Sequence, residues 1–446
     1  MTAPTRAAPK ELVTALSTRR RTTELGLLIL AFLVICGLYA LASLGRNASL
    51  PADIGPFLGV VLLLVLLAHL VIRRVAPAAD GLLLPLAALL NGVGYVFIAR
   101  LDDHLAGLQA TWTAIGIGSF IVTLVVVRDF KALQRYRYTF GLVGVLLLVM
   151  PLLPGVGLNI NGARIWVAIG PVSFQPGEFA KIALAIFFAG YLEEKREVLG
   201  VATFRLGPFN IPDPKHFGPI LGAWGVALMV MIFERDLGSA ALFFVLFVVM
   251  LWVATGRVTY LVVGGGLFGL GAWLSYLKFT HVQTRVQVWL DPWADASGKG
   301  YQIVQSAYAL AWGGLVGTGP GLGIAGRIPF QETDFIFAII AEELGLVGST
   351  AILCTFLLMV GSGLRIARRC TDPFGALLAV GLTTLLGVQA FIIIAGVIRL
   401  LPLTGITLPF VSYGGSSLVS NYVLLALLLR ISDQASRRVP QPVVAR

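Results

Sequence analysis

Charge is scarce in this chain, and acid scarcer than base. Asp, Glu, Lys and Arg make up 12% of the 446 residues, with 22 acids against 33 Lys and Arg. With 57% hydrophobic residues and a mean hydropathy of +0.89, repeated apolar runs leave no water-facing side, which excludes a soluble enzyme. The three cysteines exclude a disulfide framework: Cys36 and Cys354 lie inside apolar runs and Cys370 follows an Arg-rich turn. The four histidines are scattered. His69 sits in an early span, His104 and His281 are isolated at span edges, and His216 lies in a connection. Neither a Ser-His-Asp nor a Cys-His arrangement is available, and there is no His/Cys metal signature. No Gly-rich loop ends in Gly-Lys-Ser/Thr, and the run from Gly313 to Gly323 lacks the preceding strand of a dinucleotide site. An internal repeat of the transporter kind is not evident. The formal charge of +11 would suggest nucleic acid in a soluble domain, but a bias of cations toward one membrane face explains it here, so no nucleic-acid partner is expected.

What remains is an all-α, polytopic integral membrane protein. Span-like runs fall near 24–44, 55–73, 81–99, 111–127, 138–153, 178–192, 218–233, 237–255, 259–279, 345–364, 374–397 and 408–429. That predicts about twelve transmembrane helices, each near the ~20 residues the hydrocarbon core requires. The basic start lacks a small-residue cleavage site, so the first run is a retained helix behind a tail at 1–23. Counting alternate connections, 23 of the 33 Lys and Arg fall on the side holding both termini. Short cytoplasmic connections are enriched in these residues, so both tails (1–23 and 433–446) are expected in the cytoplasm and the large 281–344 loop outside. ATP and nucleotide-sugars are then on the wrong side, and outside chemistry needs a donor that arrives activated, such as a lipid-linked one.

Four polar groups fall on the outer half. In the first, 161–181, Pro176 and Glu178 suit a helix start with Lys181 three residues on, the same face. Such charges are costly in hydrocarbon unless they pair or line a wet cavity, so a salt bridge locking two helices and a binding role both stay open. In the second, Glu234-Arg235-Asp236, Glu234 reads as solvated at a tight hairpin, while Asp236 starts the next helix and either caps it or lines a site. The third is the irregular 281–344 loop, in which Asp291, Asp295, Glu332, Asp334, Glu342 and Glu343 face only Arg285, Lys299 and Arg327. Surplus acid there suits a divalent cation or a general base. Asp334 stands out because Phe335, Ile336 and Phe337 follow it, placing its carboxylate at an apolar boundary where basicity rises. Asp291 and Asp295 read as turn caps, and Glu342 and Glu343 as helix-end packing. The fourth, 401–417, opens the last helix with prolines, glycines and hydroxyls. Gly414 and Gly415 read as close packing, whereas Ser416 and Ser417 suit packing or binding.

These stretches resemble the SEDS family (shape, elongation, division and sporulation), the RodA/FtsW polytopic glycosyltransferases. The resemblance rests on Phe174–Lys181 (FQPGEFAK), Asp236–Ala240 (DLGSA), Gly300–Ser306 (GYQIVQS), Thr333–Gly345 (TDFIFAIIAEELG) and Leu408–Ser417 (LPFVSYGGSS), in the family's order. It spans roughly 81–432 and implies a core of ten helices, so the two spans at 24–80 are an N-terminal addition. It further implies polymerisation of lipid II into glycan strands beside a class B penicillin-binding protein. By resemblance Asp334 is catalytic, and Glu178, Lys181 and Asp236 match motif positions around a central cavity. The preceding P329-F-Q-E-T-D departs from the family's Pro-Glu-x-His-Thr-Asp pattern, so no role passes to Glu332. Thr404 stands where division-type members often carry Lys, which leans toward the elongation branch, RodA.

The expected reaction is attack of a GlcNAc 4-hydroxyl on a MurNAc anomeric carbon, displacing undecaprenyl pyrophosphate with inversion. Asp334 is the candidate base. Lys181, Arg164 and Arg285, or a Mg²⁺ or Mn²⁺ with Asp334 and Asp236 as candidate ligands, would neutralise the pyrophosphate. Glu178, Ser416 and Ser417 complete the candidate substrate-binding set. Membrane lipids, lipid II, the nascent glycan strand and the penicillin-binding protein are the expected partners. A lipid II flippase and a non-catalytic scaffold are the competing readings.

Overall fold

The computed structural model describes residues 9–49, 54–160, 163–170, 172–200, 204–206, 209–211, 236–324 and 326–437, with isolated positions from 222 to 234. Helices dominate because a helix satisfies its own backbone, which hydrocarbon demands. They are α1 (Pro9–Asn47), α2 (Ile54–Val75), α3 (Leu83–Leu101), α4 (Asp103–Val126), α5 (Arg137–Val149), α6 (Pro176–Gly200) and α7 (Leu237–Thr255). There follow α8 (Thr259–Lys278), α9 (Thr280–Leu290), α10 (Tyr301–Gly313), α11 (Ile336–Arg369), α12 (Pro373–Val397) and α13 (Gly415–Arg437).

Among the described residues nine helices, α1 to α4, α7, α8 and α11 to α13, are long and apolar enough to cross a membrane. The chain is an integral membrane protein. Arg137–Leu152 is a shorter apolar helix at the expected fifth span, and α6 covers the sixth while carrying Glu178, Lys181 and a charged run at 193–197 near its C-terminal end. The expected span at 218–233 lies mostly outside the described residues.

Local chemistry sets the helix ends. Asp102 caps α4 through the His104 and Leu105 amides, Asp236 caps α7 through Ser239, and Asp372 caps α12 ahead of Pro373. Gly256, left-handed at φ 68°, stops α7. The centre is α12, buried on nearly all sides between α11, α6 and α7, while α13 packs on α4. α8 is almost wholly exposed.

Several expectations change. The 281–344 segment is not irregular throughout: α9 and α10 occupy much of it, and α11 begins at Ile336 rather than near 345. Phe335, Ile336 and Phe337 are buried, so their burial pulls the helix start into the core. Glu342 and Glu343 therefore lie inside a helix, which kinks at Gly345 (φ 64°) where Gly317 and Leu315 press against its backbone. β1 (Gly157–Ile160), β2 (Ala163–Ile169) and β3 (Val172–Phe174) form a three-stranded antiparallel sheet where the sequence signals no strand. The last helix starts at Gly415, not 408. Glu234 is buried at 3% exposure, not solvated.

Candidate functional site

Asp334 is held from two sides. Its amide donates to Phe330 O at 3.1 Å, and Ser412 Oγ donates to Thr333 O at 2.6 Å. The Tyr413 amide donates to Glu332 O at 2.8 Å, so the turn before α13 clamps the segment before α11. Behind the carboxylate lies the 403–408 strip. Gly405 sits there at φ 77°, and a Cβ on it would stand 3.7 Å from Asp334 Oδ2 and 3.8 Å from Arg285 Nη2. Glycine is thus required by conformation and keeps both charged groups close to bare backbone.

Arg285 reaches the strip from α9, its Nη1 donating to Thr404 O at 2.8 Å and Leu403 O at 3.2 Å. α9 itself is pinned, because Trp289 Nε1 donates to Arg399 O at 3.0 Å and Arg399 Nη2 donates back to Trp289 O at 3.1 Å. Asp236 enters from the start of α7, with Oδ1 accepting from the Ser239 amide at 3.0 Å and Oδ2 from Ser239 Oγ at 2.6 Å. Gly238 lets α7 approach the strip, since a Cβ there would press on Thr404 and Ile406.

The electrostatics follow from this packing. Burial pushes the Asp334 carboxyl up to about 6, while the Thr333 hydroxyl and the Arg285 guanidinium pull it back and Glu332 and Asp236 add to the rise. Burial also raises Asp236, against the pull of Ser239 and Arg285, and Glu178 adds to the rise. One arginine therefore serves two carboxylates, with a third nearby.

Glu178 opens a buried polar network. Lys181 Nζ lies 2.7 Å from Glu178 Oε2 and donates to Gln389 Oε1 at 2.8 Å. Gln389 Nε2 donates to Thr407 O at 2.9 Å, and Thr407 Oγ1 to Ser417 Oγ at 2.8 Å. Ser420 Oγ donates to Glu178 Oε2 at 3.0 Å, which closes the circuit across α6, α12 and α13. Ser416 Oγ accepts from the Gln175 amide at 2.9 Å and ties α13 to the start of α6. Gln389, Thr407 and Ser420 were not anticipated. A glutamine inside a 25-residue apolar helix is itself a signal, because hydrocarbon tolerates such groups only with partners.

The fold thus gathers Asp334, Arg285, Asp236, Glu178, Lys181, Ser416 and Ser417 around one strip. Arg164 lies exposed on β2, and no described contact joins it to that group. Asp291 and Asp295 cap turns through the Trp293 and Lys299 amides, as their spacing suggests. Glu342 and Glu343 bind the glycine run, accepting from the Ile324 amide at 3.0 Å and the Gly321 amide at 2.6 Å, and Glu343 pairs with Arg100. For a metal, no group of three His, Cys, Asp or Glu gathers among the described residues. Asp334 and Asp236 are the carboxylates that a cation of the Mg²⁺ class, which needs only one or two, would have to use, and both Asp236 oxygens already accept from Ser239.

Residues 82–437 match the FtsW/RodA/SpoVE model, described as a cell cycle protein. The peptidoglycan glycosyltransferase RodA of Mycobacterium tuberculosis is 44% identical over 441 residues, covering 96% of this chain and 94% of that protein. The stage V sporulation protein E of Bacillus subtilis is 35% identical over 367 residues, covering 79% of this chain and 96% of that protein. Among solved structures, a chain from work on the structural coordination of polymerization and crosslinking by a peptidoglycan synthase complex aligns with a TM-score of 0.66. It is 28% identical over 80% of this chain and 98% of its own. The rod shape determining protein RodA of Thermus thermophilus, at 24% identity and a TM-score of 0.56 over 80% of this chain and 97% of its own, shares the fold. The model match begins at residue 82, so α1 and α2 precede it, while the mycobacterial alignment takes in almost the whole chain. On both counts the chain belongs to the FtsW/RodA/SpoVE family.

Proposed function

We propose that this chain, a peptidoglycan glycosyltransferase like its mycobacterial relatives, polymerises lipid II with Asp334 as general base. The GlcNAc 4-hydroxyl oxygen bonds to the MurNAc anomeric carbon as that carbon's bond to the pyrophosphate oxygen breaks, inverting the centre. The hydroxyl proton passes to Asp334, and undecaprenyl pyrophosphate leaves. The observation that carries this reading is a half-buried carboxylate set against the Gly405 backbone beside Arg285, which burial raises to about 6 while the Thr333 hydroxyl and Arg285 pull it back. Such a base is worth about 10²–10⁴-fold.

Arg285 and Lys181 are the cations on hand for the leaving diphosphate, with Arg164 farther out on the sheet. A divalent cation, when bound by Asp236 and Asp334 with phosphate oxygens, would supply further positive charge. Lipid tails hold both substrates in one leaflet, so positioning contributes much of the remaining rate. The distribution of Lys and Arg supports an outward-facing Asp334 end with both termini cytoplasmic. A class B penicillin-binding protein is the partner this reading assigns, in keeping with the synthase complex whose chain aligns here.

Purified wild type and Asp334→Asn, given lipid II and Mg²⁺ or Mn²⁺ in detergent, test the proposal. Glycan strands from the wild type alone are the expected result, with a chelator abolishing them and added metal restoring them. Lipid movement across vesicles by both proteins, without glycan from either, would assign a flippase. Neither activity without the partner would assign a scaffold.

A further inference from the structure

At the end of the bundle opposite Asp334, α1, the 78–82 connection, α11 and α13 enclose a cavity of about 360 Å³. Arg20, Arg365 and Arg369 line it against a single acid, Asp80. Its frame is built rather than accidental. Arg20 Nη1 donates to Ala78 O at 2.9 Å and Ser436 Oγ at 3.1 Å. Arg365 Nη2 donates to Ser362 Oγ at 2.8 Å, and that hydroxyl donates to Asp80 Oδ1 at 3.0 Å. The Asp80 amide in turn donates to Ser432 Oγ at 2.9 Å. Arg365 stands 3.9 Å from Asp80 and keeps 44% of its side chain open. Arg369, in the last turn of α11, is exposed. Three guanidiniums against one carboxylate leave a charge of +2 facing the cavity.

Planar guanidinium forks match phosphate oxygens, and the cavity lies where the spans end, at the depth of lipid headgroups. The α1 span begins at Arg20, and α11 ends at Arg369. We propose that this cavity binds a phosphate-bearing anion, namely the headgroup of an anionic phospholipid in the leaflet opposite the catalytic segment. α11 and α13 end here, and the dipoles of their C-termini oppose an anion, whereas α3 begins at Leu83 beside the cavity-lining Gly81 and Leu82, so the arginines supply most of the attraction. The proposal also gives α1 a task, because Arg20 completes the site from outside the family core.

The test uses the full-length protein in phosphatidylcholine nanodiscs, titrated with phosphatidylglycerol and separately with inorganic phosphate, followed by native mass spectrometry and thermal melting. Phosphatidylglycerol should be retained and raise the melting temperature. Arg365→Gln/Arg369→Gln should weaken retention about tenfold. Arg73→Gln/Arg74→Gln, which removes two exposed arginines outside the cavity, should leave it intact. A response to phosphate but not to the lipid, lost in the same variant, would support the site and assign the free anion as its ligand. Equal losses in both double variants, or unchanged retention in Arg365→Gln/Arg369→Gln, would overturn the proposal. Should that variant fold poorly, Arg369→Gln alone gives the reading, with about a threefold loss expected and none overturning it.

Discussion

At Asp334 the demands of folding and of chemistry oppose each other. A base must be ionised, yet burial raises this carboxyl to about 6 from an ordinary 3.8. Polymerisation limited by the base should therefore climb as pH rises through about 6 and level off above it. Arg285→Gln removes the cation that holds the group down, so its rising limb should move to higher pH, and a limb that stays in place would remove Arg285 from the site's electrostatics. The same shift has a stability sign. A carboxyl whose folded pKa is raised contributes full stability below about 4 and loses it as pH rises through about 6, so at pH 7.5 the ionised group destabilises the fold. The penalty is at most about 3 kcal/mol at 1.36 kcal/mol per unit. Asp334→Asn should accordingly lose about 10²–10⁴-fold in polymerisation yet melt at a higher temperature than wild type at pH 7.5, the gap closing by pH 4. A lower melting temperature for the asparagine variant would make the carboxylate a structural anchor.

Among elements, the joint of α6, α12 and α13 is where buried charge meets apolar packing. Glu178 and Lys181 are 6% and 5% exposed, and removing one partner strands the other. Lys181→Met and Glu178→Gln should each cost about 3–5 kcal/mol, while the double variant should recover much of that loss because no unpaired charge remains. Additive losses in thermal melting would show that the two do not act as a pair. Half of this joint was legible in the sequence: the i, i+3 spacing of Glu178 and Lys181 places them on one face. The other half was not, because Gln389 joins from a helix 208 residues away in sequence and spacing says nothing about which helices meet. The 281–344 segment failed differently. α9 is too polar to resemble a span, yet it is pinned by the Trp289–Arg399 exchange, a tertiary contact with no local signature. The sheet at 157–174 was hidden because strands of three to seven residues carry too few alternations to register.

For the whole molecule, the cations sort by end, and this separation argues for the topology. Arg20 meets Ala78 and Ser436, Gln434 reaches Arg128 O at 2.7 Å, and Arg430 reaches Val75 O at 3.1 Å, so one end collects the basic connections. The other end holds Asp334, Arg285, and Arg100 bound to Glu343. Sequence counting expects such a split because apolar length and charge bias are summed properties that do not depend on packing. The orientation it implies can be measured directly. With Cys36, Cys354 and Cys370 replaced by alanine, Val316→Cys, 80% exposed within the glycine run, should react with a membrane-impermeant maleimide added to intact spheroplasts. Arg74→Cys, exposed at the far end of α2, should react only after the membrane is opened. Reversed labelling would put Asp334 on the nucleotide side, where lipid-linked sugars displayed outside the membrane could not reach it, and the polymerase mechanism would fail with it.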